Sequence, residues 1–149
     1  MTDKPLLIKV KKLKEGAVVP TRGSALAAGY DLYACLGGSV TIESGKTLGV
    51  GTGLAMELPE GWFAAIFARS GLAMKKGLRP ANCVGVCDAD YRGEYIVPLY
   101  NDSAEPRTVE HGERIAQMVL LPCRTLDFEL TDELGGTQRG EGGFGSTGK

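Results

Sequence analysis

The chain has little of what most metal and redox sites need. It contains a single histidine, His111, and four cysteines at 35, 83, 87 and 123, none in a Cys-x-x-Cys pair. A zinc site needs several soft ligands at close spacing, so this composition argues against one. A disulfide framework is not expected in a domain this size with no signal-like start. The thiols are therefore expected to be reduced, and buried or incidental. No apolar run approaches the roughly 18 residues of a membrane span. The opening Met1-Thr-Asp-Lys-Pro5 lacks the apolar core of a secretory signal. The expectation is a soluble, cytoplasmic protein with no membrane partner. Charge of either sign is not in excess: the formal net charge is −1. That removes general attraction to nucleic acid, so any polyanion must be held by a local site.

The 149 residues suit one domain. A chain of this length buries roughly 68–70% of its unfolded surface, enough for a core without staples. Short apolar or alternating runs dominate, and Gly and Pro separate them. They are Leu6–Val10, Thr47–Val50, Leu54–Leu58, Trp62–Phe67, Tyr95–Tyr100 and Arg114–Leu121, with a turn signal at Pro59-Glu-Gly61. Strands at such intervals predict an all-β sandwich or barrel. One segment reads as helix: Ser70-Gly-Leu-Ala-Met-Lys-Lys-Gly77 offers a serine cap, helix formers and a closing glycine. No internal repeat is present. The composition breaks once, near Gly135, and separates a β domain over 1–134 from an arm over 135–149.

That arm ends in Arg139-Gly-Glu-Gly-Gly-Phe-Gly-Ser-Thr-Gly-Lys149, with five glycines in eleven residues. Glycine loses the most backbone entropy on ordering, so the arm has no shape of its own. It carries bare amides, two hydroxyls and an arginine, which are phosphate-holding groups, and one phenylalanine able to stack on a base. Plain terminal disorder is the bland alternative. The final seven residues also match the first half of a P-loop. A P-loop needs a preceding strand and a following helix to aim its amides, and neither is expected here.

Other segments place polar groups where they are costly or useful. Asp88-Ala-Asp-Tyr-Arg-Gly93 follows a strand-like run and precedes another, which suggests a hairpin with charges at its bend. Asp88 and Asp90, two apart on extended chain, would share a face. This is either a solvated acidic turn or a poised carboxylate. Arg69-Ser70 sits between a strand end and a helix start, and suits phosphate or simply caps the helix. Asp31 lies in an alternating strand, and is either paired or solvent-facing. Gln117, in an otherwise apolar strand, needs a ligand or a backbone partner.

Five segments together resemble the trimeric dUTP pyrophosphatases, the dUTPases. They are Ala28-Gly-Tyr-Asp31, Ala68-Arg-Ser-Gly-Leu-Ala73, Gly85-Val-Cys-Asp-Ala-Asp-Tyr-Arg-Gly93, Gly112-Glu-Arg-Ile-Ala-Gln117 and Arg139–Gly148. All five in this order cover most of the chain. The resemblance implies a jelly-roll-like β-barrel and a homotrimer with shared active sites, over which the C-terminal arm closes. It implies Mg²⁺-dependent hydrolysis of dUTP to dUMP and pyrophosphate. By the same resemblance Asp88 is the general base. Arg69, Ser70, Gly71 and Gln117 hold the phosphates, joined from the arm by Arg139, Gly145, Ser146 and Thr147. Asn82, Gly85, Val86, Tyr91 and Phe144 meet the base and sugar. Asp31 holds a water of the metal. The sequence departs from the usual pattern at Ala68 (commonly proline), Cys87 (commonly isoleucine) and Asn82 (commonly glycine). Two other classes stand beside this reading. One is a dCTP deaminase, whose glutamate activates water at the base. The other is a non-catalytic module on the same scaffold.

Overall fold

The computed structural model describes residues 5–145. Within them the chain folds into twelve short strands and one helix. The strands form four antiparallel sheets. The five-stranded sheet positions most of the residues of interest. Its order is β2 (Thr21–Arg22), β3 (Tyr30–Tyr33), β12 (Arg114–Pro122), β7 (Trp62–Phe67) and β9 (Gly85–Cys87). A three-stranded sheet sets β10 (Ile96–Asn101) between β5 (Thr47–Gly51) and β8 (Leu78–Pro80). Two ribbons complete the framework. One pairs β1 (Lys9–Lys12) with β6 (Leu54–Glu57), and the other pairs β4 (Val40–Ile42) with β11 (Arg107–Val109).

The alternating patterns explain the core. Along β10 the burial alternates, with Val97, Leu99 and Asn101 inward and Ile96, Pro98 and Tyr100 less buried. Leu32, Leu54, Leu78, Leu99 and Ile115 are fully buried and come from five different strands. Each such side chain contributes about 1.5–3 kcal/mol by leaving water. The buried Asn101 is satisfied by backbone. Its amide donates to the carbonyls of Ile42 (2.8 Å) and Glu105 (2.7 Å), and its oxygen accepts from Ser103 N (3.0 Å). It thereby ties β10 to β4.

The helix α1 spans Ser70–Lys76, and its one buried residue, Leu72, anchors it. Gly77 ends it in the left-handed conformation (φ 64°), donating to the Ala73 carbonyl. Lys75 and Lys76 lie in the last turn, where the helix dipole favours cations. The start differs from expectation. Arg69, in extended conformation, is the cap residue, no side chain caps the helix, and Ser70 is its first member. The serine hydroxyl is thus not used as a cap, which leaves it exposed beside Arg69.

A second expectation is corrected at residues 88–95. These do not close a hairpin between paired strands. β9 pairs with β7, whereas β10 pairs with β5 and β8, so the segment carries the chain from one sheet to another. Asp88 and Asp90 do not lie on extended chain either. Tyr91 N donates to Asp88 O (3.2 Å) and Arg92 Nη1 to Ala89 O (2.6 Å), closing a turn around them.

After β12 the described chain forms no further strand. Leu126, Phe128, Leu130 and Leu134 are all largely exposed there. No helix of the described residues is long and apolar enough to cross a membrane. All four cysteines are free, and only Cys35 is buried.

Candidate functional site

One rung of the large sheet gathers residues that are far apart in sequence. Thr21 pairs with Asp31, Asp31 with Gln117, and Gln117 with Phe67. Directly opposite residues point to the same face, so Asp31 and Gln117 meet side by side. Phe67 is the last residue of β7, and Arg69 follows two residues on. The result is a pocket of about 300 Å³ lined by Asp31, Arg69, Ser70, Gly71, Arg114 and Gln117, with Gly29 at its wall.

Its electrostatics are specific. Asp31 is buried, and both of its oxygens are engaged: Oδ1 accepts from Arg69 Nε (2.7 Å) and Oδ2 from Arg114 Nη1 (3.3 Å). The sequence left Asp31 paired or solvent-facing; it is paired. Gln117 takes a backbone partner, one of the two its place in an apolar strand allows. Its Nε2 donates to Ala68 O (2.8 Å), which fixes the segment just before Arg69. Gly29 lets the neighbouring loop approach closely, because a Cβ there would run into the Gln117 side chain. Arg22 holds that loop, donating to Ala27 O (3.0 Å) and also to Ala25 O. Arg114 was not singled out from sequence. Its place after a Gly-Glu turn at the start of an apolar strand was the available signal, and only the pairing with Asp31 gives it meaning.

The second pocket, of about 220 Å³, lies where β9 leaves the sheet. Asn82, Gly85, Val86, Asp88 and Tyr91 all line it. Gly85 has reason to be glycine: an added Cβ would press Ile66 Cβ at 3.1 Å and Asn82 Nδ2 at 3.2 Å. Tyr91 donates through its hydroxyl to Glu94 O (2.9 Å), which fixes the ring in the pocket wall. The Asp88 carboxylate accepts no hydrogen bond among the described residues, and Asp88 is exposed. Burial raises the Cys87 thiol pKa, so it stays protonated and acts as packing. Beneath it Tyr95 is 2% exposed, and its hydroxyl has no hydrogen-bond partner among the described residues. Burial keeps that phenol protonated throughout the ordinary pH range.

Glu94 fastens the turn to the rest of the barrel. Its Oε1 accepts from Gly53 N (2.9 Å) and Lys14 Nζ (3.0 Å). Burial alone would raise its pKa, but the two hydrogen bonds and the lysine charge outweigh that and lower it. A carboxylate with a lowered folded pKa adds stability above its unfolded value of about 4.3, and this is lost as pH falls below it. Glu94→Gln should therefore cost about 1–2 kcal/mol near neutral pH. Chemical denaturation across pH should show wild type and variant converging below about pH 4.

The two pockets share no residue. Outside the arm, the groups expected to meet phosphate (Arg69, Ser70, Gly71 and Gln117) sit in one, and those expected to meet base and sugar (Asn82, Gly85, Val86 and Tyr91) sit in the other. Of the arm residues, Arg139 bonds its own loop through Nε to Gly142 O (2.7 Å), while Phe144 is fully exposed and Gly145 has a φ of 87°. Neither pocket includes Arg139, Phe144 or Gly145. Ser146 and Thr147 lie outside the described residues.

An antiparallel β framework with one short helix, carrying a charged pocket and a separate apolar-walled one, has close counterparts among known proteins. The dUTPase family profile matches residues 15–148, and the chain belongs to the dUTPase family. The deoxyuridine 5'-triphosphate nucleotidohydrolase of Desulfitobacterium hafniense is 53% identical over 131 residues, 87% of each chain. The one from a Hydrogenobaculum species is 48% identical over 139 residues, 93% of this chain and 96% of its own. In structure, the Staphylococcus bacteriophage 80alpha dUTPase with dUPNHPP superposes with a TM-score of 0.87 at 28% identity. That match covers 96% of this chain and 99% of the phage chain.

Proposed function

We propose that this chain hydrolyses dUTP to dUMP and pyrophosphate, by attack of an Asp88-activated water on the α-phosphorus. The carrying observation is the division of the polar groups: an acid beside an aromatic-walled pocket, and a guanidinium-rich pocket apart from it. Asp88 takes a proton from the attacking water. Its exposure, and its having no side-chain partner among the described residues, support that role, because both leave its oxygens open to water. Asn82, Gly85 and Val86 receive the uracil. Tyr91 packs against the deoxyribose and leaves no room for a 2′-hydroxyl.

Arg69, Ser70, Gly71 and Gln117 hold the phosphate chain. The Asp31 carboxylate aims Arg69 before any ligand arrives, so less order must be imposed on binding. The arm then closes the site. Phe144 stacks on the base, while Arg139, Gly145, Ser146 and Thr147 reach the terminal phosphate. Residues 1–134 serve as the barrel and 135–149 as this arm.

The chemistry of the donor set fits Mg²⁺ held mainly by substrate. Among the described residues no three His, Cys, Asp or Glu side chains gather as a metal cage. Asp31 would hold one of the metal's waters, through lone pairs not used by Arg69 and Arg114. When bound, Mg²⁺ offsets the charge developing on the phosphate oxygens.

Two separate half-sites in one chain, and a described C-terminal stretch with exposed apolar residues, support a homotrimer whose active sites draw on more than one subunit. In a cytoplasmic setting the reaction would limit uracil incorporation into DNA and supply dUMP for dTMP synthesis, with neither nucleic acid nor membrane as partner. Incubation with dUTP and Mg²⁺ should release dUMP and pyrophosphate, with dTTP and UTP turned over far more slowly. Equal turnover of all three would overturn the assignment of base and sugar contacts.

A further inference from the structure

A third cleft, of about 350 Å³, lies on the helix side of Arg69. Arg69, Gly71, Lys75, Lys76, Glu113 and Arg114 line it. It shares Arg69, Gly71 and Arg114 with the phosphate pocket, so the two are contiguous. The charges do not balance. Lys76 is neutralised by Glu113 (2.5 Å), whose other oxygen accepts from Glu110 N (3.1 Å). Arg69 and Arg114 divide the single charge of Asp31 between them. Lys75 is exposed and pairs with no carboxylate among the described residues. Two of the four positive charges are thus left without a counter-charge among the described residues. Each guanidinium has five N–H donors and spends few of them on Asp31, so donors remain for a ligand. A cleft with surplus cations and free donors takes a small multivalent anion.

We propose that this cleft is a second anion subsite, built by Lys75, Arg114 and the outer side of Arg69, and that it takes inorganic pyrophosphate. The identity of the ligand rests on the hydrolase reading above, in which pyrophosphate is the leaving group. An anion moving from the phosphate pocket into this cleft keeps contact with Arg69 throughout. The product therefore leaves along a graded path and not straight into water.

The test is direct titration calorimetry on the full chain at low salt, with metal-free pyrophosphate and with dUMP. Lys75→Gln should weaken pyrophosphate binding about fivefold, as expected for one exposed charge a few ångströms from an anion. It should leave dUMP binding within about twofold of wild type, and Lys75→Arg should restore the pyrophosphate affinity. Added salt should shrink the difference, because these charges are solvent-accessible. Unchanged pyrophosphate affinity in Lys75→Gln, an equal loss for dUMP, or no pyrophosphate binding by wild type would each overturn the subsite. A wild-type chain that binds pyrophosphate but does not cleave dUTP would sink the hydrolase reading and leave the subsite standing.

Discussion

Replacing Asp88 by asparagine should lower the turnover of dUTP by about 10²–10⁴-fold, the range typical of a positioned general base. The substitution is nearly isosteric, so water and substrate can still be placed, but the amide accepts no proton. Stability should barely change. The Asp88 side chain is exposed and forms no hydrogen bond among the described residues, so no buried partner is orphaned. Release of dUMP measured at saturating dUTP, beside a thermal melt, reads both quantities. Near wild-type turnover in a well-folded variant would show that another group accepts the proton.

Deletion of residues 139–149 should have the opposite balance from a core truncation. Phe144 is fully exposed, and the other described residues of this stretch are exposed or half-buried. No strand or helix includes any of them. Their removal should leave the melting temperature almost unmoved. Activity should fall steeply if, as proposed, the arm supplies a base-stacking ring, about 1–3 kcal/mol, and several phosphate contacts. Losing these together should reduce kcat/KM by about 10²-fold or more, with the largest share recovered when only Phe144 is restored to a shortened arm. A truncated enzyme at full turnover would mean that the arm has no part in catalysis.

Much of the β framework was legible because strand signals are local. Trp62–Phe67 is a run of six apolar residues and is β7 to the residue. The helix was legible from its helix formers and from Gly77, whose positive φ is a backbone property of its own residue. The misreadings came where a local signal had two structural answers. Two strand-like runs around a polar bend look like a hairpin, yet here they join different sheets. Ser70 looks like a cap, yet the chain enters the helix one residue earlier, at Arg69. Neither choice is made by residues near the bend or the cap. The first is made by which edges of β7, β5 and β8 are open to a partner.

Alternation, turn chemistry and the five polar segments are properties of neighbouring residues, so the order of amino acids alone establishes an all-β chain, one short helix, the family and the residue types available for chemistry. It could not determine what Asp31 does. That required strand register: Asp31 meets Gln117, and Gln117 meets Phe67, only because three strands pair in one rung. Register places Arg69 and Arg114 on opposite oxygens of one carboxylate, which turns an isolated acid into the brace of a guanidinium-lined pocket. Tertiary structure alone also divided the site into two pockets with no residue in common. The physical reason is the same in both cases: pairing and packing between distant segments carry the energy that orients these groups, and no local pattern encodes it.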